Sequence, residues 1–296
     1  MIASVRRFNR TVTQRVGALQ DHYLARDRPL GEARVLWEIG EAGCDVRSLR
    51  ARLDLDSGYL SRLLRALEAD GLIAVGPGVP DRRVRTATLT SRGRKERGLI
   101  DRRSDALAAD LLEPLSDAQR DRLVAAMVDV ERLLTAAMVT IEQVDPADPR
   151  AQHCLGEYFA ELDRRFDGGF DPAQTLSTDL DGMRAPRGMF LVATLRGQAV
   201  GSGALKFHDG GIAELKRMWV DPATRGLGVG RRLLAALEQE ASAAGCVRVQ
   251  LDTNPSLTEA IAMYRSSGYR PIEAFNAEPY AQLWFEKDLV NTTARA

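Results

Sequence analysis

Residues 221–232 read Asp221-Pro222-Ala223-Thr224-Arg225-Gly226-Leu227-Gly228-Val229-Gly230-Arg231-Arg232. Glycines at 226, 228 and 230 let backbone N–H groups approach an anion with no Cβ in the way. The apolar spacing that follows predicts a helix over 228–243, whose N-terminus and partial positive charge point at the same place. Arg225 and Arg231 add full charges. Glycines, helix end and arginines together suit a pyrophosphate. The dinucleotide-binding turn Gly-x-Gly-x-x-Gly fails here, because Arg231 stands at its last position. A Walker loop fails too, because no Gly-Lys-Ser/Thr follows.

Outward from this loop, the pattern alternates strands and helices. Strands are predicted at 139–144, 189–195, 198–207 and 212–220, then at 247–251, 269–273 and 282–287. Helices are predicted at 151–165 and 256–267, the second with Ser256-x-x-Glu259 as a capping box. Residues 168–187 are rich in Gly, Pro and Asp and read as loop. The class is α+β with a mixed sheet.

Arg225-x-x-Gly228-x-Gly230 resembles the coenzyme A motif of the GNAT superfamily of N-acetyltransferases. The match extends over Glu214-Leu-Lys-Arg-Met-Trp-Val220-Asp-Pro222 and Ala260-x-x-x-Tyr264-x-x-x-Gly268-Tyr269, and covers about residues 139–290. The resemblance implies an acyl-CoA N-acyltransferase fold with a splayed sheet, and acetyl-CoA as cofactor. It implies that the backbone around Trp219, at Met218 and Val220, aligns the pantetheine and acetyl group. Arg225 through Arg231, with Leu227 and Val229 between the glycines, would hold the pyrophosphate. Tyr264 would donate a proton to the leaving thiolate, and a phenol is a reasonable acid for that step. Asn254 would cap or touch pantetheine. Direct attack by an amine also needs a base, and Glu214 is the candidate, acting directly or through water. Its other reading is a strand carboxylate paired with Lys216 or Arg217. Family substrate pockets point to Tyr158, Arg164, Arg165, Phe166, Phe170, Phe275 and Tyr280. An arginine among them suits a carboxylate-bearing amine such as an amino acid.

The front of the chain is different. Val5, Phe8, Val12, Val16 and Leu19 form a helical stripe over 5–25, early enough in the chain to pack on a partner. A second helix is predicted at 31–41, and Asp45 can cap a short one through Leu53. Leu55-Asp56-Ser57-Gly58-Tyr59 ends that helix and starts another, with Asp56 or Ser57 as N-cap. Leu60, Leu63, Leu64 and Leu67 line one face of it. Ser57, Gly58, Tyr59, Ser61, Arg62 and Arg65 lie off that face. Gly71 ends the helix as a left-handed cap. Two short helices and a tight turn match a helix-turn-helix reader. Strands at 72–75 and 84–90 then flank a Gly/Pro turn that carries Arg82, Arg83 and, beyond it, Arg85. A helix-turn-helix followed by a basic hairpin is a winged helix. LEADGLI, the Asp-Arg-Arg of the wing and LTSRGR resemble the MarR family of bacterial transcriptional regulators, over about residues 1–137. The resemblance implies that Arg83 enters the minor groove, that Asp81 orients it, and that N- and C-terminal helices join a dimer. Two long helices follow, at 91–112 with Leu99, Leu107, Leu111 and Leu112 inward, and from Ser116-x-x-Gln119 to about 137. The stripe of the second is Leu123, Met127, Val130, Leu133 and Leu134.

Charge follows the same division. The 296 residues carry 41 Lys+Arg and 41 Asp+Glu. Residues 1–103 hold 21 basic and 13 acidic side chains, and the remainder is acidic by the same margin. A basic front suits phosphate. Three cysteines without a CxxC pair, and three histidines without ligand spacing, indicate neither a disulfide framework nor a metal site. No apolar run is long enough for a bilayer and no secretory signal opens the chain, so the expected setting is cytoplasmic. The expected organisation is a winged-helix DNA-binding and dimerisation domain over 1–138 and an acetyltransferase domain over 139–296. No flexible linker lies between them. The expected function is twofold: acetylation of a small amine by acetyl-CoA, and binding of a palindromic operator in double-stranded DNA as a homodimer. Two alternatives stay open. The winged helix could serve dimerisation alone, or the acetyltransferase fold could sense coenzyme A without turnover.

Overall fold

The computed structural model describes residues 1–17, 24, 28–78, 84–175 and 180–289. The chain divides into two units, Met1–Asp129 and Val130–Ala296.

The first unit opens with α1 (Ile2–Arg15), α2 (Leu30–Ile39), α3 (Val46–Leu53) and α4 (Ser57–Ala69). Asp45 starts α3 by accepting from the N–H groups of Arg47 (3.1 Å) and Ser48 (2.9 Å). Asp56 starts α4 by accepting from Tyr59 N–H at 2.8 Å. The leucine stripe of α4 is buried against Val35, Leu36, Ile39 and Leu49. The opposite face, from Ser57 to Arg65, is exposed. Strands β1 (Cys44–Asp45), β2 (Ile73–Pro77) and β3 (Arg85–Leu89) form a sheet in the order β1-β3-β2. The hairpin pairs Ile73 with Leu89 through Pro77 with Arg85. Its tip, with Asp81, Arg82 and Arg83, lies outside the described residues. β1 is two residues long, too short for alternation to reveal it.

α5 (Ser91–Leu112) and α6 (Asp117–Ala137) have the expected bounds, but the α5 leucines expected to face inward are less buried than that, whereas the stripes of α1 and α6, expected to meet a partner, are open. α5 buries Gly93 and Ile100, and its leucines are only half-buried. α6 buries none of its residues, and Met127, Leu133 and Leu134 are exposed. Ile2, Val5, Phe8 and Val12 of α1 are exposed as well. Helical periodicity reports a stripe, but not whether this chain covers it.

The second unit contains the last turns of α6 and then β4 (Thr140–Val144), α7 (Pro149–Arg165), β5 (Gly188–Leu195) and β6 (Gln198–His208). There follow β7 (Ile212–Val220), α8 (Val229–Ala243), β8 (Arg248–Thr253), α9 (Thr258–Ser266), β9 (Arg270–Ile272) and β10 (Leu283–Asp288). The seven strands lie in the order β4-β5-β6-β7-β8-β10-β9. Side chains alternate across the sheet. Leu191 and Ala193 of β5 pack with Leu233 and Leu237 of α8. Phe190 and Val192 between them pack with Ala151, Cys154 and Leu155 of α7. The two helices therefore cover opposite faces.

The ladder between β7 and β8 is parallel, and every other pairing in this sheet is antiparallel. It joins only Ile212–Arg248, Ala213–Val249 and Glu214–Gln250. Both strands run on unpaired to each other, so the sheet opens between them. Across β7 the register with β6 jumps from Lys216–Ala204 to Trp219–Ser202. The bulge holds Arg217 at φ +56°, a left-handed conformation uncommon outside glycine. The expected capping box on α9 does not form. Leu257 is the N-cap and no side chain caps the helix. Glu259 instead pairs with Arg165 at 2.8 Å, and Asn254 Oδ1 takes the Ser256 N–H at 2.9 Å.

The two faces of α4 make a direct test. Leu64→Ala should cost about 2–5 kcal/mol of folding stability in a urea titration. Arg62→Ala, on the exposed face, should stay within about 0.5 kcal/mol of the parent.

Candidate active site

The glycine loop is a type II turn. Arg225 lies at φ −60°, ψ 145°, Gly226 at φ +83°, and Leu227 N–H donates to Thr224 O at 3.2 Å. That turn needs a left-handed third residue, which glycine supplies at no steric cost. Gly228, at φ +79°, is then the N-cap of α8. The first N–H groups of a helix have no partner within it.

These groups border a cavity of about 790 Å³, within the usual range of about 300–1,000 Å³ for small-molecule sites. Met218, Trp219 and Val220 form its strand wall where the sheet opens. Arg225, Gly226, Gly228, Val229, Gly230 and Arg231 form its loop end. Ala260, Met263 and Tyr264 of α9 close the far side, and Tyr158, Glu161 and Arg165 come from α7. An elongated anion with an apolar tail fits these donors. Of the residues expected to hold such a molecule, Leu227 and Asn254 do not line this cavity. Leu227 spends its N–H within the turn. Asn254 orders the neighbouring backbone, donating to Tyr280 O at 3.0 Å, and faces a second cavity.

Glu161 dominates the electrostatics of the first cavity. Arg225 Nη2 lies 2.6 Å from both of its carboxylate oxygens. Trp219 Nε1 donates to it at 3.1 Å, and Arg165 Nε approaches to 2.9 Å. Arg165, expected beside the acceptor, therefore lies along the first cavity between Glu161 and Glu259. Its guanidinium holds the Glu259 carboxyl down to about 2. Glu161 was not among the expected residues. Its one sequence signal is the Glu161–Arg165 spacing on a single helix face.

Tyr264 lines both cavities and is 5% exposed. Burial raises its phenol pKa above the ordinary value, and the neighbouring Tyr158 and Asp252 reinforce the shift. The second cavity, about 80 Å³, is walled by Tyr158, Phe166, Phe170 and Tyr280, with Lys216, Arg217, Asp252 and Glu278 as its charges. Phe170 and Tyr280 are 4.8 Å apart, and Phe166 and Tyr280 5.8 Å. The Arg217 guanidinium lies over Phe159 at 5.0 Å and Tyr158 at 5.7 Å. Phe166 and Tyr280 thus line one cavity side by side. Phe275 is 37% exposed and lines neither cavity, and neither does the exposed Arg164.

Glu214 also lines neither cavity. Its carboxylate meets Lys216 at 2.8 Å and His208 at 3.0 Å, and Asn276 donates to it at 3.2 Å. Burial opposes its ionisation, but Lys216 and His208 outweigh burial and lower its pKa. Lys216 also grips Asp252. Asp252 and Glu278 are the carboxylates on the second cavity's wall, and Asp252 is tied to Glu214 through one buried lysine. Asp252 carries no local sequence signal, because β8 presents it beside Tyr264 only once β7 and β8 pair.

In the first unit, Ser57, Gly58, Tyr59, Ser61, Arg62 and Arg65 share the exposed face of α4. The Arg62 guanidinium lies 5.6 Å from the Tyr59 ring centroid, and Arg65 Nε donates to Ser61 O at 3.2 Å. Arg85 is exposed at the start of β3. Among the described residues no His, Cys, Asp and Glu cluster could hold a metal, and no helix is long and apolar enough to cross a membrane.

Family models match in two places: the acetyltransferase (GNAT) family over residues 156–269 and the MarR family over residues 27–84. An IAA acetyltransferase of Azospirillum brasilense is 37% identical over 156 residues, which is 51% of this chain and 98% of the relative. The HTH-type transcriptional regulator TtmR of Methylorubrum extorquens is 43% identical over 67 residues, 23% of this chain and 33% of that protein. A solved aminoglycoside 6'-N-acetyltransferase complexed with coenzyme A is 17% identical with a TM-score of 0.39, covering 51% of this chain and 97% of its own.

The Arg165–Glu259 pair predicts a pH effect of known sign. The Glu259 pKa falls from 4.5 to about 2 in the folded chain, so the pair's stabilisation is complete above pH 4.5 and is lost as pH falls toward 2. Glu259 is largely exposed, so solvent screening limits the effect to about 1 kcal/mol or less. Thermal midpoints of the parent and of Glu259→Gln should differ near pH 6 and converge near pH 2–3. A gap that stays constant with pH would count against the pair.

Proposed function

Because the chain belongs to the GNAT acetyltransferase family and carries a MarR-family winged helix ahead of that region, we propose that it acetylates a small amine with acetyl-CoA and binds a palindromic DNA operator as a homodimer. The observation that carries the enzymatic half is one cavity. The opened end of β7, the glycine turn, the start of α8 and the Tyr264 phenol all border it.

Acetyl-CoA, when bound, supplies an acetyl group activated as a thioester. The free N–H groups at the start of α8, with Arg225 and Arg231, hold the pyrophosphate. The backbone of Met218 and Val220, beyond the ladder with β8, runs along the cavity wall, where Val220 O already accepts from Arg225 Nε at 3.3 Å. Glu161 orients Arg225 until a phosphate shares it. Tyr264 keeps its proton well into alkaline solution and delivers it to the departing sulfur. The aromatic second cavity receives the amine, and Lys216 and Arg217 suit a carboxylate on it, as in an amino acid. Glu214 accepts the amine proton through water, with Asp252 and Lys216 between it and the cavity.

For the DNA half, Arg62 and Arg65 on α4 and the basic wing meet the duplex. The exposed apolar stripes of α1 and α6 seat a second copy. Acetyl-CoA or the acceptor shifts operator affinity, and the undivided chain between the two regions motivates that coupling.

An amine panel with acetyl-CoA, read by released thiol, tests the enzyme. Tyr264→Phe should lower kcat by about 10²–10⁴-fold with little change in the acetyl-CoA KM. Coenzyme binding with no turnover on any amine would leave a sensor instead. In gel shifts, Arg62→Ala should weaken operator binding by about 1–3 kcal/mol, and added salt should weaken it throughout. No salt-sensitive, sequence-preferring shift would reduce the front unit to a dimerisation module. Operator affinity unchanged by saturating acetyl-CoA and acceptor would remove the coupling.

A further inference from the structure

Arg132 lies on α6, before the acetyltransferase sheet begins and outside the stretch matched by the family model. Its guanidinium nevertheless reaches the glycine turn, 94 positions further along the chain. Nε donates to Gly226 O at 2.8 Å, and Nη2 donates to the same oxygen. Both groups belong to the second unit. The Gly226–Leu227 peptide is thereby held at both ends, its carbonyl by Arg132 and its N–H by Thr224 O. A Cβ at Gly226 would collide with that guanidinium. The glycine is needed for the turn and also for the arginine's approach.

A second arginine runs the other way. Arg232, in the first turns of α8, donates to Ala136 O at 2.6 Å and to Val139 O at 2.7 Å. The last carbonyls of a helix have no partner within it, and here α8 supplies one to the end of α6. The end of α6 and the loop between β7 and α8 are thus clasped by two reciprocal arginines. Arg132 is exposed and does not line the cavity. It acts on the loop from outside, through a carbonyl.

We infer that Arg132 is a positioning residue for the coenzyme loop, and that coenzyme binding and order at the end of α6 are linked through it. The inference rests on the reading of the first cavity as the acetyl-CoA site. A loop already held in its anion-binding turn loses less freedom when a pyrophosphate arrives. By reciprocity, the bound anion tightens the hold of the loop on α6 by the same factor.

The test uses the full chain and coenzyme A as the probe. Calorimetry should show that Arg132→Ala raises the coenzyme A dissociation constant by about 5-fold or more. The acetyl-CoA KM should rise in parallel, with kcat within about twofold, and Arg132→Lys should recover part of the loss. Hydrogen exchange over residues 130–137 should slow when coenzyme A binds the parent and respond less in Arg132→Ala. Unchanged coenzyme affinity in Arg132→Ala, beside a parent that binds normally, overturns the inference while leaving the cavity's assignment intact. A fall in kcat without a change in affinity also overturns it. A parent that binds no coenzyme A overturns the cavity's assignment, and the inference with it. Thermal melts of each variant separate these outcomes from misfolding, and Arg132→Gln repeats the test if the alanine variant melts early.

Discussion

The parallel ladder between β7 and β8 holds for three residue pairs and then stops at Glu214 and Gln250. Past that point each strand has backbone groups facing a gap, and a gap in a sheet is costly unless something fills it. The bulge at Arg217 helps to keep it open, because β7 there follows β6 with an irregular register. The glycine turn continues from the end of β7, and Tyr264 faces the gap from α9. A β7–β8 pair in full register would leave the cavity without its strand wall, and the turn beside a closed sheet.

Much of this was legible in the residues because it is local. The glycines at 226 and 228, the leucine stripe of α4 and the Asp56 cap act within a few positions of themselves. What stayed hidden depends on distant segments. Glu161 meets Arg225 across 64 positions, and neither residue announces the other. Ser256 and Glu259 have the spacing of a capping box, yet Glu259 takes the stronger partner, Arg165. Charge-assisted pairing outranks the local motif there. Glu214 shows the second of its two readings, the strand carboxylate ion-paired with Lys216 beside it.

The charges of the cavity are arranged to be shared. Arg225 and Arg165 both lean on Glu161, a carboxylate 9% exposed. Buried charges require partners, and removing one partner leaves the other stranded. Glu161 holds both arginines beside the cavity, while Arg225 Nε also donates to Val220 O at 3.3 Å and Arg165 Nη1 to Ser256 O at 3.5 Å. Electrostatic readiness and the fold's own stability therefore draw on the same three side chains. Substitution at Glu161 would disturb both.

The clasp at the end of α6 has a consequence for how such a chain can change over time. Arg132 and Ala136 lie one turn apart, and the first must face Gly226 while the carbonyl of the second faces Arg232. Each added or deleted residue in a helix rotates everything beyond it by about 100°. A single insertion between 132 and 136 would turn one arginine contact away as it kept the other. Within the second unit, the last turns of α6 are therefore fixed in angular phase against the glycine turn, and lengthening them is tolerated only in steps that restore the turn.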